Sequence, residues 1–350
     1  MRDGLRTWKR GAEGRGIRNA ISYAFDGTCD AHRNSLAGST AALSYSGGGA
    51  VPRYTVVNGA IAHDTLDTGQ LRHWIEGANP QTGTQRGRPH CTDNAGLLLD
   101  GTINFPKSYS VAALLDPALG REFEALQDRI RERTILLWQR ELNARRGSGG
   151  CIREEIARLE VVELQHRRSR ALDPHIHRHL WLNMKVQGVD GKWSSLDSRV
   201  AMKFHTVVNA EGELAARTDP QWITALAAHG YTLDDNGEIA QLTHVVRPLS
   251  RRSNKIELNR ARLIEAWRSE HPGREPGADD LHHIDTLAWA QGRPGKPARL
   301  DEAAWEDRVR GELGVIDPLL LWQRNPAHLE STPIAGLDRD LLAQMALVDA

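Results

Sequence analysis

Paired cysteines, net charge and long apolar runs are all missing from this sequence of 350 residues. Its three cysteines, Cys29, Cys91 and Cys151, form no Cys-x-x-Cys pair, which excludes a disulfide framework or a thiolate metal site and is typical of a reducing compartment. No apolar run approaches the roughly 18 residues of a membrane helix, and the N-terminus is polar and arginine-rich, without the apolar core of a signal peptide. We therefore expect a soluble protein of the cytoplasm.

The charges balance, with 45 basic and 45 acidic side chains. DNA-binding proteins usually carry a basic excess because neutralised phosphates supply much of their affinity, so this balance counts against nucleic acid without excluding a local basic groove. The basic residues do cluster, although any one cluster taken alone is ordinarily a solvated helix face. The clusters are Arg167, Arg168, Arg170 and Arg178, and further along Arg247, Arg251, Arg252, Lys255, Arg260 and Arg262.

Hydrophobic spacing and turn residues predict helices and strands in separate groups. The predicted helices are 70–76, 117–146, 199–217, 219–229, 255–270 and 301–312, and the predicted strands are 96–105, 156–165 and 176–186. Asp190-Gly191 predicts a hairpin turn. Residues 1–60 are rich in Gly and Ser and give no clear assignment, and residues 272–298 resemble a Pro/Gly-rich linker. Grouped strands separated by long helices predict an α+β fold with a mostly antiparallel sheet.

Three histidines alternate in the run 173–179 (DPHIHRH): His175, His177 and His179. On a strand they project from one face, about 7 Å apart along the backbone. Imidazole suits a divalent transition metal, and three nitrogens leave coordination positions open. His166 can join from a neighbouring strand, so spacing alone leaves open which three histidines bind. A cupin or an amidohydrolase also uses a His-x-His pair, but neither accounts for the surrounding arginines.

The longer run 165–179 (QHRRSRALDPHIHRH) resembles the motif His-x-x-Ser-Arg-x-x-Asp-Pro-x-x-His-x-His of conjugative relaxases of the TrwC/TraI (MobF) class, within the HUH endonuclease superfamily. Matched residue by residue, this resemblance implies a metal triad of His166, His177 and His179. It implies a divalent ion (Mg, Mn or Zn) on a palm-like antiparallel sheet. The resemblance therefore selects a triad that differs from the alternating one.

Other segments extend the resemblance over roughly residues 20–315. Residues 190–196 (DGKWSSL) resemble the family's Asp-Gly-x-Trp-x-x-Leu hairpin, and residues 105–110 (FPKSYS) resemble its Ala-Pro-Lys-Ser-Val-Ser segment. The strand before the latter puts Asp100 at the family's active-site aspartate. The implied organisation is a poorly defined basic N-terminus (1–20), a relaxase domain (21–315) with a helical part at about 240–315, and a C-terminal tail (316–350).

Relaxases of this class cut one DNA strand by attack of a tyrosine, leaving a 5′-phosphotyrosine and a free 3′-hydroxyl. Of the five tyrosines, Tyr45 best matches the family position, with Tyr54 and a Gly-Ala pair following it, and Tyr23 resembles an earlier tyrosine of the family. A phenol has a pKa near 10, so it needs a base or a nearby cation to attack at neutral pH. Asp100 is the candidate to orient a ligating histidine or to take the tyrosine proton.

The resemblance implies site-specific nicking and religation of single-stranded DNA at a plasmid transfer origin, with relaxosome accessory proteins and a coupling protein as partners. The residues expected to contact DNA are Lys107, Arg170, Arg178, Arg251 and Arg252. Many relaxases continue into a helicase, but residues 292–297 (GRPGKP) lack the spacer and Ser/Thr of a P-loop, so no ATPase activity is expected. Two alternatives stay open: a degenerate relative that binds single-stranded DNA without cutting it, and an unrelated histidine–metal hydrolase.

Overall fold

An antiparallel sheet forms the centre of the protein, whose computed structural model describes residues 5–25, 49–169, 171–291 and 302–321. Within these ranges the sheet has nine strands: β1 (Arg6–Lys9), β2 (Val51–Val57), β3 (Ala60–Leu66), β4 (Gly96–Ile103), β5 (Asn143–Arg146), β6 (Ile152–Arg168), β7 (Pro174–Asn183), β8 (Lys185–Gly188) and β9 (Trp193–Ser195). Six of them run in the order β1-β4-β7-β6-β2-β3. The predicted α+β fold with an antiparallel sheet is confirmed.

Helices pack on both faces of this sheet. Those in the described ranges are α1 (Arg15–Phe25), α2 (Thr68–Ile75), α3 (Lys107–Leu115), α4 (Pro117–Glu141), α5 (Ser198–Thr218), α6 (Pro220–Ala228), α7 (Thr243–Val246), α8 (Arg251–Glu270), α9 (Ala278–Gln291) and α10 (Glu302–Ile316). Among these helices none is long and apolar enough to cross a membrane.

Two buried cores follow from the alternation of side chains along the strands. Trp181 points into the smaller core, where α1 and α2 pack against β6 and β7. Its neighbours on β7, Leu180 and Leu182, point into the larger core beneath α3, α4 and α6. Residues of β7 with odd numbers, His177 and His179 among them, therefore share the face that α1 covers.

Two sequence predictions differ from the structure, one on where a helix ends and one on a predicted linker. The predicted helix 117–146 begins as expected, because Asp116 caps it: the Ala118 N–H donates to Oδ1 of Asp116 at 2.7 Å. It ends at Glu141, however, since residues Asn143–Arg146 form β5 and pair with β6. The predicted linker 272–298 is wrong over Ala278–Gln291, which form α9 and pack against α8.

The N-terminal stretch, which has no clear assignment from its sequence pattern, contains β1 and α1. Strand β1 pairs antiparallel with β4, so that Arg6 lies opposite Asp100. The chain then turns through Gly11 and Gly14, whose φ angles of 67° and 70° suit glycine, into α1. Gly16 lies so close to the end of β1 that a Cβ atom there would stand 1.9 Å from the carbonyl oxygen of Lys9. The glycines of this stretch thus bring α1 back onto the strand that precedes it.

Candidate metal centre and its tyrosine

Three histidines meet on the β6–β7 hairpin. The register places His166 of β6 opposite His177 of β7, and His179 follows two residues later on the same face. One nitrogen from each ring can be chosen so that all three lie within 4.8 Å of one another. His175 lies outside this cluster, although its ring is 4.4 Å from that of His177. The geometry thus groups the triad that the family motif implied.

Hydrogen bonds at the far side of two rings fix their tautomers. Nδ1 of His177 donates to the carbonyl oxygen of His175 at 2.7 Å. Nδ1 of His179 donates to Oδ1 of Asp100 at 2.8 Å. Because Nδ1 carries the proton in both rings, Nε2 keeps the lone pair that a metal ion needs.

Burial also favours neutral imidazoles. Desolvation lowers the pKa of His177 well below its usual value, and its histidine neighbours lower it further. Desolvation likewise lowers the pKa of His175 to about 3, and the charge of Lys107 acts in the same direction. The neutral ring is the form that binds a metal, so the burial of His177 favours binding. Three imidazole nitrogens at this spacing fit a divalent transition metal ion.

Tyr23 of α1 lies against this cluster. Its hydroxyl is 3.2 Å from Nε2 of His179, and its ring centroid is 5.4 Å from that of His166. Since Nδ1 of His179 donates to Asp100, the hydroxyl of Tyr23 donates to Nε2 in this arrangement. Tyr45, the other candidate nucleophile, lies outside the described residues.

Asp100 of β4 has partners for both carboxylate oxygens. Oδ1 accepts from His179, and Oδ2 accepts from the indole Nε1 of Trp8 at 3.2 Å. The sequence did not single out Trp8, because a lone tryptophan in a basic, glycine-rich stretch carries no motif. The available signal was the spacing of Ile17, Ala20 and Ala24, which all pack into the smaller core and define α1 as an amphipathic helix.

Helix α10 donates hydrogen bonds to the turn between β6 and β7. Leu172 has a φ of 64°, a left-handed conformation that is strained for a bulky residue. The carbonyl oxygen of Leu172 accepts from Nε1 of Trp305 at 2.9 Å and from Arg308 at 3.2 Å. Nε of Arg251, an expected DNA contact, donates to Oδ1 of Asp173 in the same turn at 2.5 Å. The C-terminal helices thus stabilise the loop that joins the metal-binding strands.

The other expected DNA contacts that the structure describes have different partners. Nζ of Lys107 donates to the carbonyl oxygen of Leu249 at 2.7 Å, and burial lowers its pKa to about 8. The guanidinium of Arg252 lies 5.4 Å from the ring centroid of Trp289. Arg170 lies outside the described residues.

Arg178 is turned away from the histidines. Its guanidinium is buried against α4, bonded to Asp128 at 2.5 Å, to Glu163 at 2.8 Å and to Gln127 at 2.8 Å. Burial opposes its charge, but Glu163 and Asp128 outweigh this effect and raise the pKa of Arg178. Strand alternation puts this side chain on the opposite face from His177 and His179.

A family model described as TrwC relaxase matches residues 29–314. The chain belongs to the TrwC relaxase family. The matched part contains Asp100 and the histidine triad, whereas β1 and α1, with Trp8 and Tyr23, precede it. No curated protein sequence matches the chain significantly.

Solved structures share this fold at low sequence identity. A copper-bound structure of the conjugative relaxase TrwC in complex with oriT DNA has a TM-score of 0.65 and 20% identity, covering 89% of this chain and 98% of its own. A metal-bound structure of TrwC with oriT DNA has a TM-score of 0.61 and 21% identity over the same shares. A metal-free complex has a TM-score of 0.59 and 20% identity, covering 89% and 99%. The likeness extends over nearly the whole length of those chains.

Proposed function

We propose that this relaxase is a metal-dependent DNA strand transferase, which nicks single-stranded DNA at a plasmid transfer origin and religates it. One observation carries the proposal: the Tyr23 hydroxyl lies 3.2 Å from the lone-pair nitrogen of His179, inside a cluster of three histidines. A nucleophile, a metal-binding set and a carboxylate that orients it are the parts that phosphoryl transfer by a tyrosine requires. We assign the divalent ion to His166, His177 and His179, and the process to the cytoplasm.

We assign the nucleophile to Tyr23. The sequence ranked Tyr45 ahead of Tyr23, and the contact of Tyr23 with His179 is what supports choosing Tyr23 here. In the reaction the phenolic oxygen of Tyr23 loses its proton to solvent and forms a bond to the scissile phosphorus, while the bond from phosphorus to the 3′-oxygen breaks and that oxygen takes up a proton from solvent. The departing strand leaves with a free 3′-hydroxyl, and the 5′-phosphate stays on the tyrosine. Reversal of these steps rejoins the strand.

The histidines and Asp100 prepare the site for this step. A bound divalent ion would polarise the phosphate oxygens and stabilise the charge that develops on them. The hydrogen bond from His179 to Asp100 leaves the lone pair on Nε2 available to the ion, and the hydroxyl of Tyr23 lies 3.2 Å from that nitrogen, next to the proposed metal position. Both oxygens of Asp100 already accept hydrogen bonds, from His179 and Trp8, which favours the orienting role over removal of the tyrosine proton.

A tryptophan with two arginines against its ring favours single-stranded DNA as the substrate. Arg6 and Arg252 lie 5.0 Å and 5.4 Å from the ring centroid of Trp289. Arg6 is the residue of β1 that lies opposite Asp100, so these three side chains lie beside the proposed catalytic centre. Aromatic and guanidinium groups together bind unpaired bases and phosphates. Accessory and coupling proteins of the relaxosome are proposed as further partners from the family alone.

Formation of a covalent adduct tests this function. The protein is incubated with Mn²⁺ and single-stranded oligonucleotides that tile both strands of the replicon encoding it, and products are separated under denaturing conditions. We expect a protein–DNA adduct with one oligonucleotide, together with a shorter fragment that ends in a 3′-hydroxyl. Binding to this set without any adduct would instead identify a degenerate relative that no longer cuts.

A further inference from the structure

We propose that Trp8 is a positioning residue of this site, which holds Asp100 through its indole N–H and Tyr23 through its ring. This inference rests on the proposed function, and it assigns a role to a residue outside the part of the chain that the family model matches. Two independent contacts of the same side chain carry it, one polar and one aromatic.

The polar contact restrains the carboxylate. An aspartate bonded through one oxygen keeps a broad choice of rotation about its terminal torsion. In this site Oδ1 of Asp100 accepts from His179 at 2.8 Å, while Oδ2 accepts from Trp8 at 3.2 Å. Indole nitrogen is a donor only, so Trp8 can hold the ionised carboxylate but cannot take a proton from it. Trp8 thereby orients Asp100, and Asp100 in turn orients the ring of His179.

The aromatic contact restrains the nucleophile. The centroid of Trp8 is 5.7 Å from that of Tyr23 with an interplanar angle of 64°, which is an edge-on arrangement. Trp8 also lies 5.3 Å from Trp181, whose ring is 6.0 Å from Tyr23. The contacts close a circuit that runs from Trp8 to Asp100, to His179, to Tyr23 and back to Trp8. Displacement of Trp8 therefore disturbs the tyrosine and the histidine together.

The backbone brings Trp8 and Tyr23 to the site as one unit. Strand β1 pairs with β4 so that Trp8 lies opposite Leu98, and the register shifts between Trp8 and Lys9. Gly16 then lets the start of α1 approach the carbonyl oxygen of Lys9 more closely than any side chain would allow. The helix that carries Tyr23 is thus seated directly against the strand that carries Trp8.

Two substitutions separate the two contacts. Trp8→Phe keeps an aromatic ring beside Tyr23 and removes the N–H that Asp100 accepts, whereas Trp8→Leu removes both. Trp267→Phe is the matched control, because Trp267 lies on α8 and stacks on His271. For each variant we would measure Co²⁺ affinity by calorimetry, the rate of adduct formation at saturating Mn²⁺ and DNA, and the midpoint of thermal unfolding.

We expect Trp8→Phe to weaken Co²⁺ binding by about 10-fold, the lower end of the range for loss of a partner that orients a ligand. Its rate at saturating metal should fall less than that of Trp8→Leu, because phenylalanine keeps a ring beside Tyr23. Trp8→Leu should weaken Co²⁺ binding equally and also slow adduct formation by at least about 10-fold, since mispositioning of a nucleophile is costly. The effect of Trp8→Phe on Co²⁺ affinity should vanish in an Asp100→Ala background, because the two residues act in series.

If Trp8→Phe binds Co²⁺ as tightly as the wild type, the proposal is overturned and Trp8 is a packing residue. This holds whether or not the midpoint of thermal unfolding falls. A wild-type rate in Trp8→Leu would overturn the assignment of its ring to Tyr23. If Trp8→Leu does not fold, Trp8→Phe with its Asp100→Ala background decides the question. If the wild-type protein forms no adduct yet Trp8→Phe weakens Co²⁺ binding, the proposed function fails while the link from Trp8 to the metal site is supported.

Discussion

The hydroxyl of Tyr23 on α1 and Nε2 of His179 on β7 lie 3.2 Å apart, although 156 residues separate them in the sequence. This contact joins a potential nucleophile to a potential metal ligand. It depends on the packing of α1 over the sheet, where Ile17, Ala20 and Ala24 are buried.

Replacement of Tyr23 by Phe should abolish the covalent adduct and leave the fold intact. Phenylalanine keeps the ring contacts with Trp8 and Trp181 and loses one hydrogen bond, whose net contribution to stability is about 1 kcal/mol. Denaturing electrophoresis after incubation with DNA and Mn²⁺ measures the adduct, and thermal unfolding measures stability. Tyr45→Phe is the paired variant. Retention of the adduct by Tyr23→Phe and its loss in Tyr45→Phe would restore the ranking that the sequence suggested.

Replacement of Asp100 by Asn should weaken metal binding by about 10- to 100-fold, the usual effect of removing a carboxylate that orients a histidine ligand. The amide oxygen can still accept from Nδ1 of His179, but it has no negative charge to stabilise the ligating tautomer. Competition with a chelator measures the affinity for Zn²⁺ or Co²⁺. Asp93→Asn is the control, since the side chain of Asp93 is 61% exposed. Equal affinities in the two variants would mean that Asp100 does not support the metal site.

Divalent metal should stabilise the folded protein through three particular histidines. A ligand at 100 times its dissociation constant that binds only the native state contributes about 2.7 kcal/mol. We expect Co²⁺ to raise the midpoint of thermal unfolding in the wild type and in His175→Ala, and not in His166→Ala or His177→Ala. A shift that survives in His166→Ala and disappears in His175→Ala would instead point to the alternating triad of the single strand.

Substitution of Arg178 should change stability and not the electrostatics of DNA binding. Arg178→Gln leaves Glu163 and Asp128 with a buried charge uncompensated, which should lower the free energy of unfolding by about 3–5 kcal/mol. Arg252→Gln is the contrasting variant. It should reduce the slope of log affinity against log salt concentration by about 0.7, the loss of one phosphate contact on a single strand.

Chemical denaturation and binding titrations at several salt concentrations measure the two quantities. A smaller salt slope in Arg178→Gln, with stability unchanged, would return Arg178 to the DNA-binding surface.

The sequence predicted well those parts of the protein that local patterns determine. Asp116-Pro117 and Asp219-Pro220 each combine a capping side chain with a proline at the first helical position, and α4 and α6 begin there. The motif around the histidines selected a triad that the register of β6 and β7 brings together. Each of these features depends on residues that are close in the sequence or lie on one hairpin.

Features that depend on distant partners were missed. Strand β1 has four residues, and its pairing partner β4 lies about 90 residues further along the chain, so no periodicity marks it. Helix α9 was not predicted because Pro- and Gly-rich segments, which are typical of linkers, flank it on both sides. For Arg178 the signal was present, since alternation on a strand directs it away from both neighbouring histidines. Residues that are adjacent on a strand therefore need not share a site.

The position of the histidines on one hairpin has a kinetic consequence. Strands β6 and β7 are joined by a short turn, whereas Asp100 and Tyr23 must come from β4 and α1, 79 and 156 residues from His179. Short loops close at lower entropic cost than long ones, so we expect the hairpin to form before the rest of the sheet closes around it. During refolding with Co²⁺ the absorption of histidine-bound metal should therefore rise before Tyr23 becomes protected from solvent. The metal ion would then be captured by a folding intermediate that still has no nucleophile in place.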